Sequence, residues 1–146
     1  MVFVDSENNH VQDCLDLSPR IIPQFHGNES KEFCSSFGRN YIKALKVGDG
    51  KDLKESFKIY DDSWMLLVDT FRSDRVGGTG IPFDWKSFMH NLNKPFLLAG
   101  GLTPDNIERA LSIISCRGLD VSSGVESSPG KKDKIKVEKF IKKARN

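Results

Sequence analysis

Short apolar runs alternate along this chain with stretches in which apolar residues recur every three or four positions. The short runs predict β-strands, because brief apolar segments bounded by polar residues are typical of buried parallel strands. The strand candidates are VFV (2–4), IIPQF (21–25), YIKAL (41–45), MLLVDT (65–70), FLLAG (96–100) and LDVSSG (119–124).

The stretches between these runs predict amphipathic helices, each with one apolar face. They are HVQDCLDL (10–17), SKEFCSSF (30–37), KDLKESFKIY (51–60), PFDWKSFMHNL (82–92), TPDNIERALSII (103–114) and KDKIKVEKFIKKA (132–144). Thr103 before Pro104 predicts an N-cap followed by a proline in the first helical turn. In the last helix the residues predicted to face inward are Ile135, Val137, Phe140 and Ile141.

The order of these elements predicts an α/β fold with a parallel sheet. Strand candidates begin roughly 20 to 30 residues apart, which is the spacing of βα units. Such units build either a doubly wound sheet or a barrel. Polar or glycine residues follow strand after strand, and a barrel gathers all strand ends at one rim. We therefore expect residues 1–146 to form a single domain, an incomplete TIM barrel of about six βα units.

Composition narrows the class of protein further. The chain has 146 residues and a net charge of +2, from 22 basic and 20 acidic side chains. This balance gives no reason to expect a nucleic-acid or membrane partner. No apolar stretch approaches the ~20 residues of a membrane span. The first residues show no secretory signal, so we expect a cytoplasmic protein.

The cysteines and histidines do not predict a metal site. Cys14, Cys34 and Cys116 are odd in number and form no C-x-x-C pair. Unpaired thiols suit a reducing compartment, and we expect all three to be small buried side chains. The histidines form no H-x-x-x-H pair.

Two glycine-containing loops after the last two strand candidates predict a phosphate site. They contain Gly100-Gly101 and Ser122-Ser123-Gly124. Phosphate binds well to backbone N–H groups that no side chain obstructs, and paired loops of this kind hold phosphate in βα barrels. The two serines would add hydroxyl donors. The alternative is that each loop is only a tight turn.

A third glycine-rich stretch, RVGGTGIPFDW (75–85), contains Gly78 and Gly80. Its length is typical of a mobile loop over the mouth of a barrel. A flexible linker is the alternative interpretation.

Asp69 is the candidate general acid. It ends an apolar strand, so its carboxyl group reaches the rim in a partly buried setting that favours the protonated form. The alternative is an acceptor for a neighbouring loop. Asp120, two residues before Ser122, is a candidate acceptor for sugar hydroxyls, and it could equally cap a loop.

Taken together, PQFHGNES, LLVDT…GGTGIPFDW, LLAGGLTPDN and LDVSSGVESSPGKKD resemble the phosphoribosylanthranilate isomerases, (βα)8 barrels of tryptophan biosynthesis. The matching motifs run in order over almost the whole chain. The combination of GGTG-x-x-FDW, AGGL-x-P-x-N and D-V-S-S-G-V-E is specific to that family, whereas other phosphosugar barrels share only the phosphate cradle.

The resemblance implies an Amadori rearrangement of N-(5-phosphoribosyl)anthranilate to 1-(2-carboxyphenylamino)-1-deoxyribulose 5-phosphate, without a cofactor or metal. A general acid opens the ribose ring, and a general base then removes the C2′ proton. By resemblance, Asp69 is the acid and Asp120 contacts the sugar. Gln24 and His26 of Q-x-H-G lie at the mouth with Gly78 and Gly80, and the phosphate loops fall on Gly100, Gly101, Ser122, Ser123 and Gly124.

Two departures from the family pattern change what is expected. Ile81-Pro82 stand where a lysine and a threonine usually follow GGTG, which affects loop closure more than chemistry. The family's base is a cysteine in a K-x-C-G stretch, and an arginine downstream of that stretch helps to bind the anthranilate group. Residues 1–146 contain neither the motif nor that arginine.

The absent base motif leads to a hypothesis with two rivals. The hypothesis is a truncated isomerase that spans the third to eighth βα units, binds phosphate and has weak or no turnover. Its two unpaired strand edges would favour self-association. The rivals are a non-catalytic fragment that binds a phosphate ligand, and another phosphosugar isomerase or epimerase.

Overall fold

The computed structural model describes residues 1–47, 52–69 and 94–145, and its main feature is a six-stranded parallel sheet. The strands are β1 (Val2–Phe3), β2 (Gln24–Phe25), β3 (Ile42–Lys46), β4 (Met65–Asp69), β5 (Phe96–Ala99) and β6 (Gly118–Leu119). They pair in chain order. A doubly wound sheet reverses its strand order at one point. Because this order never reverses, the sheet is the wall of a barrel.

The wall is open. In the part of the chain that the structure describes, β1 pairs only with β2 and β6 only with β5. The expected incomplete barrel of six parallel strands is therefore confirmed. Self-association through the two free edges stays a prediction.

Helices connect the strands and cover one face of the sheet. They are α1 (Asn8–Asp16), α2 (Lys31–Ser35), α3 (Leu53–Ile59), α4 (Ile107–Ile113) and α5 (Lys134–Ala144). Side-chain caps begin three of them: Ser30 Oγ accepts the Phe33 N–H at 3.2 Å, Asp52 Oδ1 accepts the Lys54 N–H at 2.9 Å, and Asp133 Oδ1 accepts the Lys136 N–H at 3.0 Å. The helix predicted over 82–92 lies outside the described residues. Within those residues, no helix has the length and apolar character needed to cross a membrane.

The two faces of the sheet carry different side chains. On the helix-covered face, Leu66, Val68 and Leu98 are fully buried and pack in one cluster with residues of α3, α4 and α5. On the opposite, inward face the buried residues are smaller, with Ala44 and Ala99 clustered around Leu67. Successive side chains on a strand point to opposite faces of the sheet. These clusters therefore show whether each polar residue of a strand points towards the helices or towards the inside of the barrel.

The structure corrects the prediction of a strand over 119–124. β6 ends at Leu119, and Ser123–Val125 form a 3₁₀ turn. A hairpin that the pattern did not predict follows, made of β7 (Glu126–Ser128) and β8 (Lys131–Lys132). The physical reason is the turn at Ser122, whose carbonyl accepts the Val125 N–H at 3.3 Å and so ends the strand.

The N-cap prediction at Thr103 is also wrong. Helix α4 begins at Ile107 with Asn106 as its N-cap residue. Thr103 Oγ1 instead accepts the Asp105 N–H at 3.2 Å, which stabilises an extra turn before the helix.

Two burial predictions are wrong in part. On α5, Phe140 is buried, whereas Ile135 and Ile141 are 76% and 44% exposed, because the helix turns only a narrow stripe towards the sheet. Of the three cysteines, only Cys34 is buried, and Cys14 and Cys116 are partly exposed.

Candidate active site

A row of side chains lies on the inward face at the carboxyl ends of the strands. The register places Lys46, Asp69 and Ala99 side by side on β3, β4 and β5. The Asp120 N–H donates to the Leu98 carbonyl at 2.8 Å, so β6 extends this row. Neighbouring strands lie about 4.8 Å apart, so the backbones at Asp69 and Asp120 are separated by roughly 10 Å. The two carboxylates thus flank a space of sugar size.

His26 joins the same end of the sheet from β2. Its N–H donates to the Phe3 carbonyl at 2.8 Å, which continues the ladder between β1 and β2. Its ring Nε2 lies 2.5 Å from Oε1 of Gln24. Since Oε1 is an acceptor, Nε2 carries the proton and Nδ1 remains an acceptor in the neutral ring.

The electrostatic environment of His26 agrees with the row of residues that the strand register sets out. Burial lowers the pKa of His26 below its usual 6.5, and the carboxylates of Asp69 and Asp120 partly oppose that shift. A charge acts on a titrating group in this way only when it is near. Side chains from β2, β4 and β6 therefore share one mouth, and the imidazole is neutral at pH 7.

The backbone conformation at Gly100 and Gly101 favours glycine over any other residue. Their φ angles are +85° and +62°, in the left-handed region that residues with a Cβ rarely adopt. Asn106 Nδ2 donates to the Gly101 carbonyl at 2.8 Å and holds the turn. The loop after β5 therefore turns sharply, with its peptide groups bare of side chains.

Gly124 brings the second glycine loop against the first. A Cβ atom at Gly124 would lie 1.7 Å from the carbonyl oxygen of Leu102. No side chain fits there, so the backbones of the two loops are in direct contact. The pair of loops predicted from the sequence therefore forms one continuous surface, on which Ser122 and Ser123 are exposed.

Sequence reasoning missed a buried ion pair on the helix-covered face of the sheet, behind the loop that carries His26. Glu29 and Lys43 have side chains only 2% and 3% exposed, and Lys43 Nζ lies 3.1 Å from Glu29 Oε2. Lys43 also donates to the carbonyls of Gly27 at 2.8 Å and Phe25 at 3.2 Å. The pair thereby fixes the loop that carries His26.

Glu29 ties this loop to the one after β1. Its Oε1 accepts the N–H groups of Gly27 at 3.2 Å and Asp5 at 2.8 Å. Asp5 returns the contact, since its Oδ1 accepts the Asn28 N–H at 2.6 Å. The sequence did contain a signal for this ion pair. Lys43 is a lysine inside an apolar strand, on the same face as Tyr41 and Leu45, which are both buried.

The cysteines do not lie where a base at this mouth is needed. Burial raises the pKa of Cys34 to about 12 and also raises the pKa of Cys116. Cys34 is on α2, behind the helix-covered face, and Cys116 precedes β6 at the opposite end of the sheet. Within the described residues, no group of histidine, cysteine or acidic side chains is arranged to hold a metal ion.

Residues 1–143 match the family model of N-(5′-phosphoribosyl)anthranilate isomerase. The isomerase of Stutzerimonas stutzeri (strain A1501) is 42% identical over 145 residues, which cover 99% of this chain and 70% of that protein. The chain belongs to this family. The resemblance inferred from the motifs is confirmed.

Solved structures of the family agree with the fold. The phosphoribosylanthranilate isomerase of Thermotoga maritima superposes with a TM-score of 0.80 and 33% identity, covering 99% of this chain and 71% of that one. A family structure in complex with reduced 1-(o-carboxyphenylamino)-1-deoxyribulose 5-phosphate gives a TM-score of 0.79 and 31% identity, with 99% and 69% covered.

Most predicted site residues meet at one end of the sheet. They are Gln24, His26, Asp69, Gly100, Gly101, Asp120, Ser122, Ser123 and Gly124. Gly78 and Gly80, predicted in a loop over the mouth, lie outside the described residues. The role of each residue towards a substrate stays a prediction.

Proposed function

We propose that this protein acts in tryptophan biosynthesis as a phosphoribosylanthranilate isomerase, with Asp69 as the general acid. The observation that supports this most directly is the register pairing of Asp69 with Ala99, the residue before Gly100-Gly101. One strand spacing, about 4.8 Å, separates the carboxyl-bearing strand from the glycine loop. A ribose with its phosphate on the loop would present its ring oxygen to Asp69.

The proposed chemistry begins when the protonated form of the Asp69 carboxyl group transfers its proton to the ribose ring oxygen. The carboxylate form, which interacts with His26, takes up a proton from solvent before this step. The C1′–O bond breaks, the anthranilate nitrogen forms a Schiff base, and Asp69 becomes a carboxylate. Backbone N–H groups of the two contacting loops and the hydroxyls of Ser122 and Ser123 bind the phosphate. Asp120 accepts from the sugar hydroxyls, and neutral His26 offers Nδ1 as a further acceptor.

The second half of the reaction removes the C2′ proton, and the 146 residues contain no K-x-C-G base motif. Cys34 and Cys116 are held as thiols by their raised pKa values. Loss of a positioned base lowers the rate about 10²–10⁴-fold. We therefore expect a polypeptide of these residues alone to bind the phosphorylated ligand and to turn over slowly or not at all.

Ligand binding and turnover test these two statements separately. Calorimetry with reduced 1-(o-carboxyphenylamino)-1-deoxyribulose 5-phosphate is expected to detect binding, and the fluorescence of the anthranilate substrate is expected to change little. Absence of binding would contradict the proposed site. Near-normal turnover would contradict the proposed need for the missing motif.

Asp69→Asn tests the assignment of the acid. Any measurable turnover is expected to fall about 10²–10⁴-fold, because the amide cannot donate the proton. The pKa of His26, followed by NMR, is expected to fall further, since the Asp69 carboxylate raises it. Asp13→Asn on α1, an exposed position, is the control. An unchanged His26 titration in Asp69→Asn would show that the two side chains do not share a site.

A second candidate is a non-catalytic protein that binds a phosphate ligand. It would bind the same deoxyribulose phosphate, and addition of a polypeptide that carries K-x-C-G would restore no turnover. A third candidate, an epimerase of another phosphosugar, would act on ribulose 5-phosphate and leave the anthranilate substrate unchanged.

We also place the protein in the cytoplasm. Cys14, Cys34 and Cys116 are all free thiols. Free thiols persist in reducing compartments such as the cytoplasm.

A further inference from the structure

The two glycine loops lack a positive charge of their own. Residues 100–103 read GGLT and residues 122–125 read SSGV. A phosphate monoester is an anion of nearly two charges at pH 7. Neutral N–H and O–H donors bind such an anion more strongly when a cation polarises them, because hydrogen bonds in a chain strengthen one another.

Lys132 on β8 brings a cation to one of these loops. Its Nζ donates to Ser122 Oγ at 3.2 Å and to the Ser122 carbonyl at 3.0 Å. The lysine is distant in sequence and reaches Ser122 only because the β7–β8 hairpin folds back beside the loop. Residues 122 and 123 are exposed, so a ligand has access to the same serine.

The contact leaves the Ser122 hydroxyl ready to donate. A serine hydroxyl has one proton and two acceptor lone pairs. Lys132 is a donor only, so it occupies a lone pair of Oγ and cannot accept the proton. The O–H is then directed to another acceptor, and the adjacent ammonium group makes it a stronger donor.

Glu126 holds Lys132 in place. Its Oε1 lies 2.6 Å from Lys132 Nζ, and its Oε2 accepts the Gly130 N–H at 3.1 Å. The hydrogen bond from Lys132 lowers the pKa of Glu126, so the carboxylate is charged at neutral pH. The Asp133 N–H donates to the Val125 carbonyl at 2.8 Å and fixes the end of the hairpin on the loop.

We propose that Lys132 is a positioning residue of the phosphate site, which orients and polarises the Ser122 hydroxyl for donation to a phosphate oxygen. This inference rests on the phosphate site proposed above. The hairpin thereby has a function: it carries the cation that the two glycine loops lack.

A double-mutant cycle tests the proposal. Inorganic phosphate and reduced 1-(o-carboxyphenylamino)-1-deoxyribulose 5-phosphate are titrated into the unmodified chain and into Ser122→Ala, Lys132→Met and the double variant. Each single change is expected to weaken binding about tenfold, the loss of one charge-assisted hydrogen bond. The double variant is expected to bind as Ser122→Ala does, since Lys132 acts through that serine.

Two control variants separate positioning from loss of structure. Lys131→Met changes the adjacent, exposed residue of the same hairpin and is expected to leave binding unchanged. Lys132→Arg keeps a cation that can donate to Ser122 and is expected to restore most of the affinity. Circular dichroism and thermal unfolding of every variant check that the fold is kept.

The possible outcomes separate failure of the phosphate site from failure of the role of Lys132. If neither ligand binds the unmodified chain, the proposed phosphate site fails, and this inference fails with it. If Ser122→Ala weakens binding while Lys132→Met behaves as Lys131→Met does, only the inference fails. Strictly additive losses in the double variant would show that Lys132 acts on the phosphate directly, which also overturns the positioning role.

Discussion

The two sides of the mouth are held by different physical means. On one side, the loop after β2 that carries His26 is fixed from the helix-covered face by the buried pair of Glu29 and Lys43. On the other side, the loops after β5 and β6 are fixed by contact between bare backbones at Gly124 and Leu102. The first side depends on charge compensation and the second on the absence of a side chain.

This difference determines how each side fails when it is altered. A buried charge that loses its partner is costly wherever the chain places it, because water cannot reach it. A contact between backbones fails by steric overlap, so it tolerates changes of charge and not of size. Changes beside Glu29 should therefore unfold the protein, whereas changes beside Gly124 should damage the ligand site first.

The largest effect is expected from Glu29→Gln. The change leaves Lys43 buried without its counter-charge, which costs about 3–5 kcal/mol of the free energy of unfolding. Urea unfolding followed by circular dichroism measures it. Adding Lys43→Met in the same chain is expected to recover part of the loss, because the unpaired charge is then gone.

Glu55→Gln is the matched control for this pair. Glu55 lies 4.0 Å from Lys58 on α3, and both side chains are more than half exposed. An exposed pair of this kind contributes roughly 0–1 kcal/mol. Equal losses for Glu29→Gln and Glu55→Gln would refute the claim that the buried pair holds this side of the mouth.

An intermediate effect is expected from Gly124→Ala. The new methyl group overlaps the Leu102 carbonyl, so the two loops must separate. Overpacking of this kind costs about 1–3 kcal/mol, and phosphate affinity should fall with it, as titration calorimetry would show. Gly38→Ala is the control, since a Cβ there meets nothing within 4 Å and only its φ of +60° is strained. Equal affinity in both variants would contradict the steric argument.

The smallest effect is expected from a change of pH, which acts on the free energy of unfolding through the protonation of His26. Burial lowers the pKa of His26 in the fold below the 6.5 of the unfolded chain. The unfolded state then binds more protons than the folded state does. The contribution of His26 to stability is therefore full above pH 6.5, and it declines as pH falls through the lowered pKa. Unfolding measured from pH 7.5 to pH 5 checks the direction. His26→Gln should remove this part of the pH dependence, and an unchanged profile would contradict the assignment.

Much of the fold could be predicted from local patterns, because each pattern reflects the environment of its own segment. The apolar run that ends at Asp69 predicted a buried strand, and β4 spans Met65–Asp69. Where the run was short or mixed, the boundaries moved, as at 119–124, because serine and glycine follow tertiary contacts rather than an intrinsic preference for strands. Ile135 was expected inside and is exposed, since the docking of α5 and not its pattern set the buried stripe.

Part of the site could be predicted for the same reason. The family motifs and the polar residues after each strand indicated Asp69, Asp120 and the glycine loops, since parallel strands carry their ends to one edge. Lys43, Glu29 and Lys132 were not among the predicted residues. The contacts that decide their roles join Lys43 to Glu29, 14 positions apart, and Lys132 to Ser122, 10 positions apart, and no local pattern records a pairing of that kind.

The sequence by itself determined the family, the alternation of strands and helices, and the residues at the carboxyl ends of the strands, because motifs and periodicity belong to single segments. Only the tertiary structure decided that the strands pair in chain order without reversal, that Gly124 lies against Leu102, and that a buried lysine and a hairpin lysine support opposite sides of the mouth. These features depend on which distant groups come into contact, and contact is a property of the folded chain.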